Sequence, residues 1–297
     1  MINKSTRIDA SLLNYIPSKE NLCSQLINEN HRINSFECDN DSIIAAGDHS
    51  FLVYNSQHLI LYNIDGIIDK FPWNTNVNDS IKQIHYSSYH RAYLIMTARL
   101  ISQFRLSTNY DILPLKTIEK TNEYFQLLTC HENDLWIVYL MNSKVKQILI
   151  HYEFHQWKRK YISLDKLSLY PTDRICAIDV DRQGKSLGLL IAERNQNLTV
   201  GIQRRRRLLI VSTRTHSPIR EIYFSGADDL YWSLTFISYP KTGWLLTKCF
   251  DNELSYLHNN KLDTIQYKQS IRNLVITYDQ HYLIIRTINS LDIYKIY

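Results

Sequence analysis

Apolar and polar positions along the chain follow a recurring six-residue pattern, apolar-x-x-apolar-x-apolar. It reads Ile33-x-x-Phe36-x-Cys38, Ile81-x-x-Ile84-x-Tyr86 and Phe125-x-x-Leu128-x-Cys130, then Ile175-x-x-Ile178-x-Val180, Ile219-x-x-Ile222-x-Phe224 and Ile271-x-x-Leu274-x-Ile276. The copies begin 48, 44, 50, 44 and 52 residues apart. A short polar segment follows each, such as SSYHR, HEND and DRQGK, and then a compact apolar run such as Tyr93–Met96, Leu135–Val138 or Leu187–Ile191. Alternation argues for a strand, the polar segment for a turn, and the unbroken run for a strand covered on both faces. Further apolar runs at Phe51–Tyr54, His58–Tyr62 and Gln147–Ile150 bring the count to about four strands per period.

A four-stranded unit with two apolar faces cannot stand alone. It must bury both faces against neighbours. Periods in the forties with four strands therefore predict an all-β chain, a β-propeller of about six blades. Seven stays open, because the segments near 50–65 and 230–265 have room for extra strands. The reading makes the unbroken apolar run after each turn the inner strand of its blade and treats the last stretch, Asp292–Tyr297, as a half-solvated outer strand. After Ile271 only about three strands remain, so the last blade is one short. A strand from residues 1–32 is the expected closure of the ring. The alternative for that region is a short helix over Asn21–Leu26, capped by Ser18, with Leu22 and Leu26 on one face. The expected division is an N-terminal arm, 1–29, and a propeller, 30–297.

One repeat carries a family resemblance. Ile175–Val200, ICAIDVDRQGKSLGLLIAERNQNLTV, resembles a WD40 repeat, with Asp181, Gly184 and Lys185 at the turn joining its first two strands. The Gly-His opening and Trp-Asp ending of strict WD40 repeats are absent from all six copies, so the family's His–Asp network is not carried over. The resemblance implies a degenerate WD40-like propeller and, by analogy of fold, a non-enzymatic platform for binding other proteins, with no cofactor.

Composition narrows the partners. Of 297 residues 44% are hydrophobic and the net charge is only +5, without the clustered excess of a dedicated nucleic-acid binder. Five scattered cysteines form no C-x-x-C pair and suggest neither a disulfide framework nor a zinc ribbon. The first twenty residues lack the apolar core of a secretory signal, and no stretch approaches eighteen apolar residues, so a cytoplasmic location is expected. The dense charge run Arg204, Arg205, Arg206 and Arg207 sits between two apolar strands, at an expected hairpin tip or strand edge. It is the candidate interaction surface, for an acidic protein or, alternatively, an acidic membrane. A solvated hairpin whose charges deter edge pairing is the simpler account.

The remaining chemistry is sparse. Gly184-Lys185-Ser186-Leu187-Gly188 fits G-x-S-x-G, but a nucleophile elbow needs a helix after the serine, and a strand is expected there. His151, Glu153 and His155 fall on one face if the strand runs through them, a spacing compatible with zinc but equally with a polar outer face. Trp157–Tyr161 mixes basic and aromatic residues as nucleic-acid surfaces do, and an outer strand with snorkelling lysines looks the same. A propeller hydrolase needs acids and imidazoles converging on the axis. Asp179, His85 and Glu37 are the candidates near expected inner strands.

Overall fold

The computed structural model describes residues 6–9, 21–38, 43–73, 80–105, 116–141, 147–156, 158–170, 173–193, 205–225, 232–238, 241–248, 251–259 and 261–296. Three strands and a helix begin it: β1 (Thr6–Asp9), α1 (Leu22–Leu26), β2 (Arg32–Glu37) and β3 (Ile43–Ala46). From β3 onward the strands fall into antiparallel units of four. The first adds β4 (Phe51–Tyr54), β5 (His58–Tyr62) and β6 (Ile67–Pro72). The second is β7 (Gln83–Ser87), β8 (Ala92–Met96), β9 (Leu100–Phe104) and β10 (Lys116–Lys120). The third is β11 (Tyr124–His131), β12 (Asp134–Leu140), β13 (Gln147–Glu153) and β14 (Lys158–Ile162). The fourth is β15 (Arg174–Val180), β16 (Ser186–Ala192), β17 (Arg205–Ser212) and β18 (Pro218–Ser225), with β1 added in parallel beside β18.

The last sheet holds two units in one. β19 (Trp232–Ile237), β20 (Gly243–Lys248) and β21 (Asp251–His258) are followed by the sixteen-residue β22 (Lys261–Ile276). The first half of β22 pairs with β21 and the second half with β23 (Tyr282–Thr287), which pairs with β24 (Ser290–Lys295). β2 then pairs antiparallel with β24, so a strand from near the start of the chain joins the last one in one sheet. The arrangement is propeller-like. The first strands of the units, β3, β7, β11, β15, β19 and the second half of β22, touch in that order, and β22 lies against β3.

Packing explains the order. Each buried cluster straddles two neighbouring units. Leu52, Phe71, Ile84 and Phe104 join the first to the second, Trp136, Val138, Ile178 and Leu189 the third to the fourth. Ile44, Phe51, Ile284 and Ile293 join the last unit back to the first. Side chains add clasps at the same seams. The Gln83 amide donates to the Leu128 carbonyl (3.0 Å) and accepts from the Leu128 N–H (2.9 Å). Gln147 holds Ile175 in the same two-point way. Each clasp satisfies a backbone pair that faces a neighbour instead of its own sheet.

The inner position differs from the sequence expectation. The pattern copies at 81, 125, 175 and 271 are the innermost strands, and those at 33 and 219 are the outer strands β2 and β18, each directly preceding an innermost one. β18 has β1 beside it, and β2 is the edge of its sheet. The apolar runs expected innermost, as in β8, β12 and β16, are the second strands of their units, buried because the first strands turn one face to the axis. β24 is likewise buried, not half-solvated, because β2 covers its edge.

The N-terminal strand that pairs with β24 lies at 32–37, past the expected arm. A helix is present as well. α1 is capped by Asn21, whose Oδ1 accepts the Ser24 N–H, and Ser18 lies outside the described residues. Leu22, Cys23 and Leu26 are buried against Leu254, Tyr256 and Ile271. The Asp292 side chain locks the closure. It is fully buried and accepts from Ser35 of β2 (2.6 Å) and Tyr267 of β22 (2.5 Å), with the Lys268 ammonium 3.2 Å away. Desolvation acts to raise its pKa, but the hydrogen bonds from Ser35 and Tyr267 and the Lys268 charge outweigh it and hold the carboxyl below its ordinary range.

Replacing Asp292 by Asn should cost about 2–3 kcal/mol in urea unfolding at neutral pH, the scale of hydrogen bonds to a charged group. A depressed native pKa contributes stability above the unfolded value and loses it as pH falls through the native one. The gap between wild type and D292N should therefore narrow below about pH 4.

Candidate functional site: the axial cavity and its mouth

A cavity of about 140 Å³ runs along the axis, lined by the first strands of all six units. Its walls are apolar where strands pack, as at Ile84, Ile178 and Leu274, and polar at positions that alternate with these: Gln83, His85, Asp179 and Asn273. Period two in a strand dictates this, since alternate side chains face opposite ways.

Asp179 dominates the interior. Its Oδ1 accepts from Thr129 Oγ1 on β11 (3.1 Å), and its Oδ2 accepts the Phe236 N–H on β19 (2.8 Å). One carboxylate thus links the third, fourth and fifth units. Burial raises its pKa, with His85 opposing the shift, and burial lowers that of His85, with Asp179 opposing. Both groups are pushed toward their neutral forms.

The mouth is built from the turns that follow the first strands. Arg182 leaves the fourth unit, donates to the Thr277 carbonyl in the sixth (2.7 Å) and stacks over the Tyr278 ring at 4.2 Å. The Tyr278 N–H donates to the Gly47 carbonyl of the first unit (2.7 Å). The Tyr86 hydroxyl of the second donates to Asp48 (2.9 Å). Asp279 accepts from His49 and His281, 82% and 56% exposed, across the seam between the first and last units. Tyr89, 47% exposed, stacks on Phe154 in the next unit.

The sequence-predicted residues divide sharply. His85 and Asp179 do meet, in the axial cavity. Glu37 does not; it is exposed on β2, beside a groove lined by Cys38, Tyr62 and Asn289. His151, Glu153 and His155 do not form one face, because β13 ends at Glu153 and His155 lies in the turn beyond. His151 is buried, stacked on Trp136, and bonded to Asp134 and His216. Among the described residues no group of three His, Cys, Asp or Glu is placed to hold a metal ion. The Gly184–Gly188 stretch is a hairpin followed by strand β16, with Gly184 at φ +64° against His131 and Gly188 beneath the Trp244 ring. No elbow exists there. In the Trp157–Tyr161 run, Trp157 lies outside the described residues and Arg159 grips the buried Glu119 with both oxygens (2.7 and 2.8 Å). Lys158, Lys160 and Tyr161 are exposed.

The arginine run is not a uniform surface. Arg204, and the side chain of Arg205, fall outside what is described. Arg206 is fully buried against Trp232, and Arg207 is 2% exposed. Arg207 pairs with Asp173 (3.1 Å), Glu221 (3.2 Å) and Glu193 (3.4 Å). These acids come from 14 to 34 residues away, so no local pattern announced them. Sequence reasoning also missed the mouth cluster. Asp48, Arg182 and Tyr278 come together only through the ring order, and the one signal was that each sits in a polar segment after an apolar run.

No family model matches the chain, and no curated protein matches it. Solved structures do. A chain of the mitotic checkpoint complex aligns over 90% of this chain and 92% of its own, at 10% identity and TM-score 0.59. Hydrazine synthase of Kuenenia stuttgartiensis aligns over 85% and 82%, at 9% identity and TM-score 0.57. The N-terminal domain of Nup159 aligns over 88% and 94%, at 9% identity and TM-score 0.53. The fold is that of a WD40-like β-propeller. The likeness extends to the fold alone. One of these propeller neighbours carries the name of an enzyme, so the fold does not by itself decide between platform and catalyst. Among the described residues no helix is long and apolar enough to cross a membrane.

Asp179→Ala should destabilise the propeller by about 1–3 kcal/mol, since the buried Phe236 N–H loses its acceptor. Asp179→Asn should cost less, because an amide oxygen still accepts. A carboxyl whose native pKa is raised loses stability as pH rises from its unfolded to its native value. Wild type should therefore lose ground to D179N across that interval, as read by thermal unfolding at stepped pH.

Proposed function

We propose that the chain is a non-enzymatic protein-interaction scaffold on a closed ring of six blades, working in the cytoplasm. The observation that carries it is the division of labour among polar groups. Those inside the cavity are spent on holding blades together, while those left open lie on the mouth. His49, Tyr89 and His281 stand exposed on turns contributed by the first, second and sixth units. A rigid scaffold that presents loops from several blades on one face is suited to recognition. The contact of β22 with β3 and the shared cluster of Ile44, Phe51 and Ile284 support the closed ring. The absence of disulfides at Cys23, Cys38, Cys130 and Cys176 suits a reducing compartment.

The hydrolase reading has less support. His85 and Asp179 share the cavity, but its candidate nucleophiles are committed. Burial pushes the Cys130 thiol up to about 12. Ser233 donates to Asn273, Thr129 to Asp179 and Thr235 to the Leu274 carbonyl. The acidic-membrane reading relied on four arginines acting together, and two of them are interior. Arg204 and Arg205 alone remain as its candidate contact.

Affinity purification with mass spectrometry tests the scaffold. A His49→Glu/Tyr89→Ser/His281→Glu variant should keep its melting temperature and lose stoichiometric protein partners that the wild type retains. An Arg204→Glu/Arg205→Glu variant should keep them. Loss only in the arginine variant moves the surface to that hairpin, and no partner in any form contradicts the scaffold.

A further inference from the structure

Outer edges of sheets are unpaired rows of N–H and C=O groups, and proteins guard them. Three blades here do so in ordinary ways. The β6 edge carries exposed Asp69 and Lys70 and ends at Pro72. β10 has a bulge between Thr117 and Glu119 and an exposed Lys116. β14 presents Lys158, Arg159 and Lys160, all exposed. The β18 edge has none of these through its middle. Ile219 is 49% exposed, Ile222 is fully buried, Arg220 is half-buried, and Glu221 is buried and bound to Arg207. The Glu221 charge is used inside the blade, so it cannot protect the rim.

Another device covers this edge. β1 adds to it as a fifth, parallel strand, with Thr6 opposite Arg220, Arg7 opposite Glu221, Ile8 opposite Ile222 and Asp9 opposite Tyr223. Four parallel pairs are a short ladder, and parallel pairing is slightly less stable per residue than antiparallel. The chain between Asp9 and Asn21 also tethers it covalently to α1. A tether of that kind supplies an effective concentration on the order of millimolar. A free segment that binds the same edge with micromolar affinity therefore displaces it.

We infer that the β18 edge of the fourth blade is a strand-acceptor site for an extended segment of a partner protein, kept closed by the chain's own residues 6–9. The partner segment enters parallel to β18. It carries an apolar residue at the Ile222 register and a basic residue at the Glu221 register, as Ile8 and Arg7 do. Main-chain hydrogen bonds provide the affinity, and the register provides the specificity. This deepens the scaffold reading by naming a second docking surface, on the rim and not at the mouth.

The test uses the full chain and a labelled peptide of residues 1–12, MINKSTRIDASL, as probe. In the Arg7→Pro/Ile8→Pro chain the arm cannot pair, because proline offers no N–H to the ladder. Neither substitution touches a blade core, and an unchanged melt verifies folding. The peptide should bind the variant at least tenfold more tightly than the wild type and slow hydrogen exchange in 218–225. A peptide with the same two prolines should bind neither. Equal binding to both chains, binding by the proline peptide, or no binding up to millimolar peptide overturns the inference. A wild-type dimer that the double proline abolishes also overturns it, since the occupant would then be the arm of a second copy. Loss of partners through the mouth variant with a silent β18 edge leaves the scaffold standing and removes only this site.

Discussion

The pairing of β2 with β24 is the constraint on which the rest depends. Each blade buries both faces against neighbours, so an unsealed sixth unit exposes its own flank and that of the first. The seal joins β2 to the last strand through five opposed residue pairs, from Arg32–Tyr294 to Glu37–Ser290. It is reinforced by a buried carboxylate that touches both partners of the seam. α1 extends the same strap onto the fifth unit, where Leu22 and Leu26 enter the cluster under β21 and β22. Residues 21–37 therefore act as one clamp over two blades. In the chain-entropy view, contacts this distant in sequence cost the most to form and impose the greatest order once made.

Closure also accounts for the character of the axis. Six first strands brought around one line must place alternate side chains in a narrow, poorly hydrated space. Polar groups there need partners, and the partners come from other blades: Asp179 with Thr129 and Phe236, Gln83 with Leu128. Asp179, one of the groups that look catalytic in the sequence, braces three units in the fold. Groups free to meet a ligand are displaced outward, to turns at the mouth and to the rim. Electrostatics follow this split, with burial pushing both His85 and Asp179 toward neutrality.

Much of this was legible in the sequence, for definable reasons. Periodicity reports burial, and burial repeats from unit to unit, so the all-β class and the four-strand unit could be read directly. The shortage of strands after Ile271 pointed to an N-terminal strand, and β2 does pair with β24. Phase was harder, because a run buried on both faces marks a strand between two others as readily as one at the axis. The copies also change phase along the chain: β18, covered by β1, and β2, itself an edge strand, are outer strands. The arginine run failed for a related reason. Charge density in one dimension says nothing of carboxylates brought from elsewhere, and Asp173, Glu193 and Glu221 meet Arg207 only in three dimensions. His85 and Asp179 were found because both sit in copies that were correctly phased. Glu37 was not, because its copy was one strand out.

The most direct test of the closed fold is a disulfide across the seam. Glu37 and Ser290 face each other on β2 and β24 at the exposed end of the pairing. In a Glu37→Cys/Ser290→Cys chain the account predicts quantitative oxidation without a partner molecule and a single cooperative unfolding transition at higher urea. The gain should be large, because a loop of more than two hundred residues is closed. A cross-link that does not form, or forms with no shift of the midpoint, would contradict closure by the N-terminal strand.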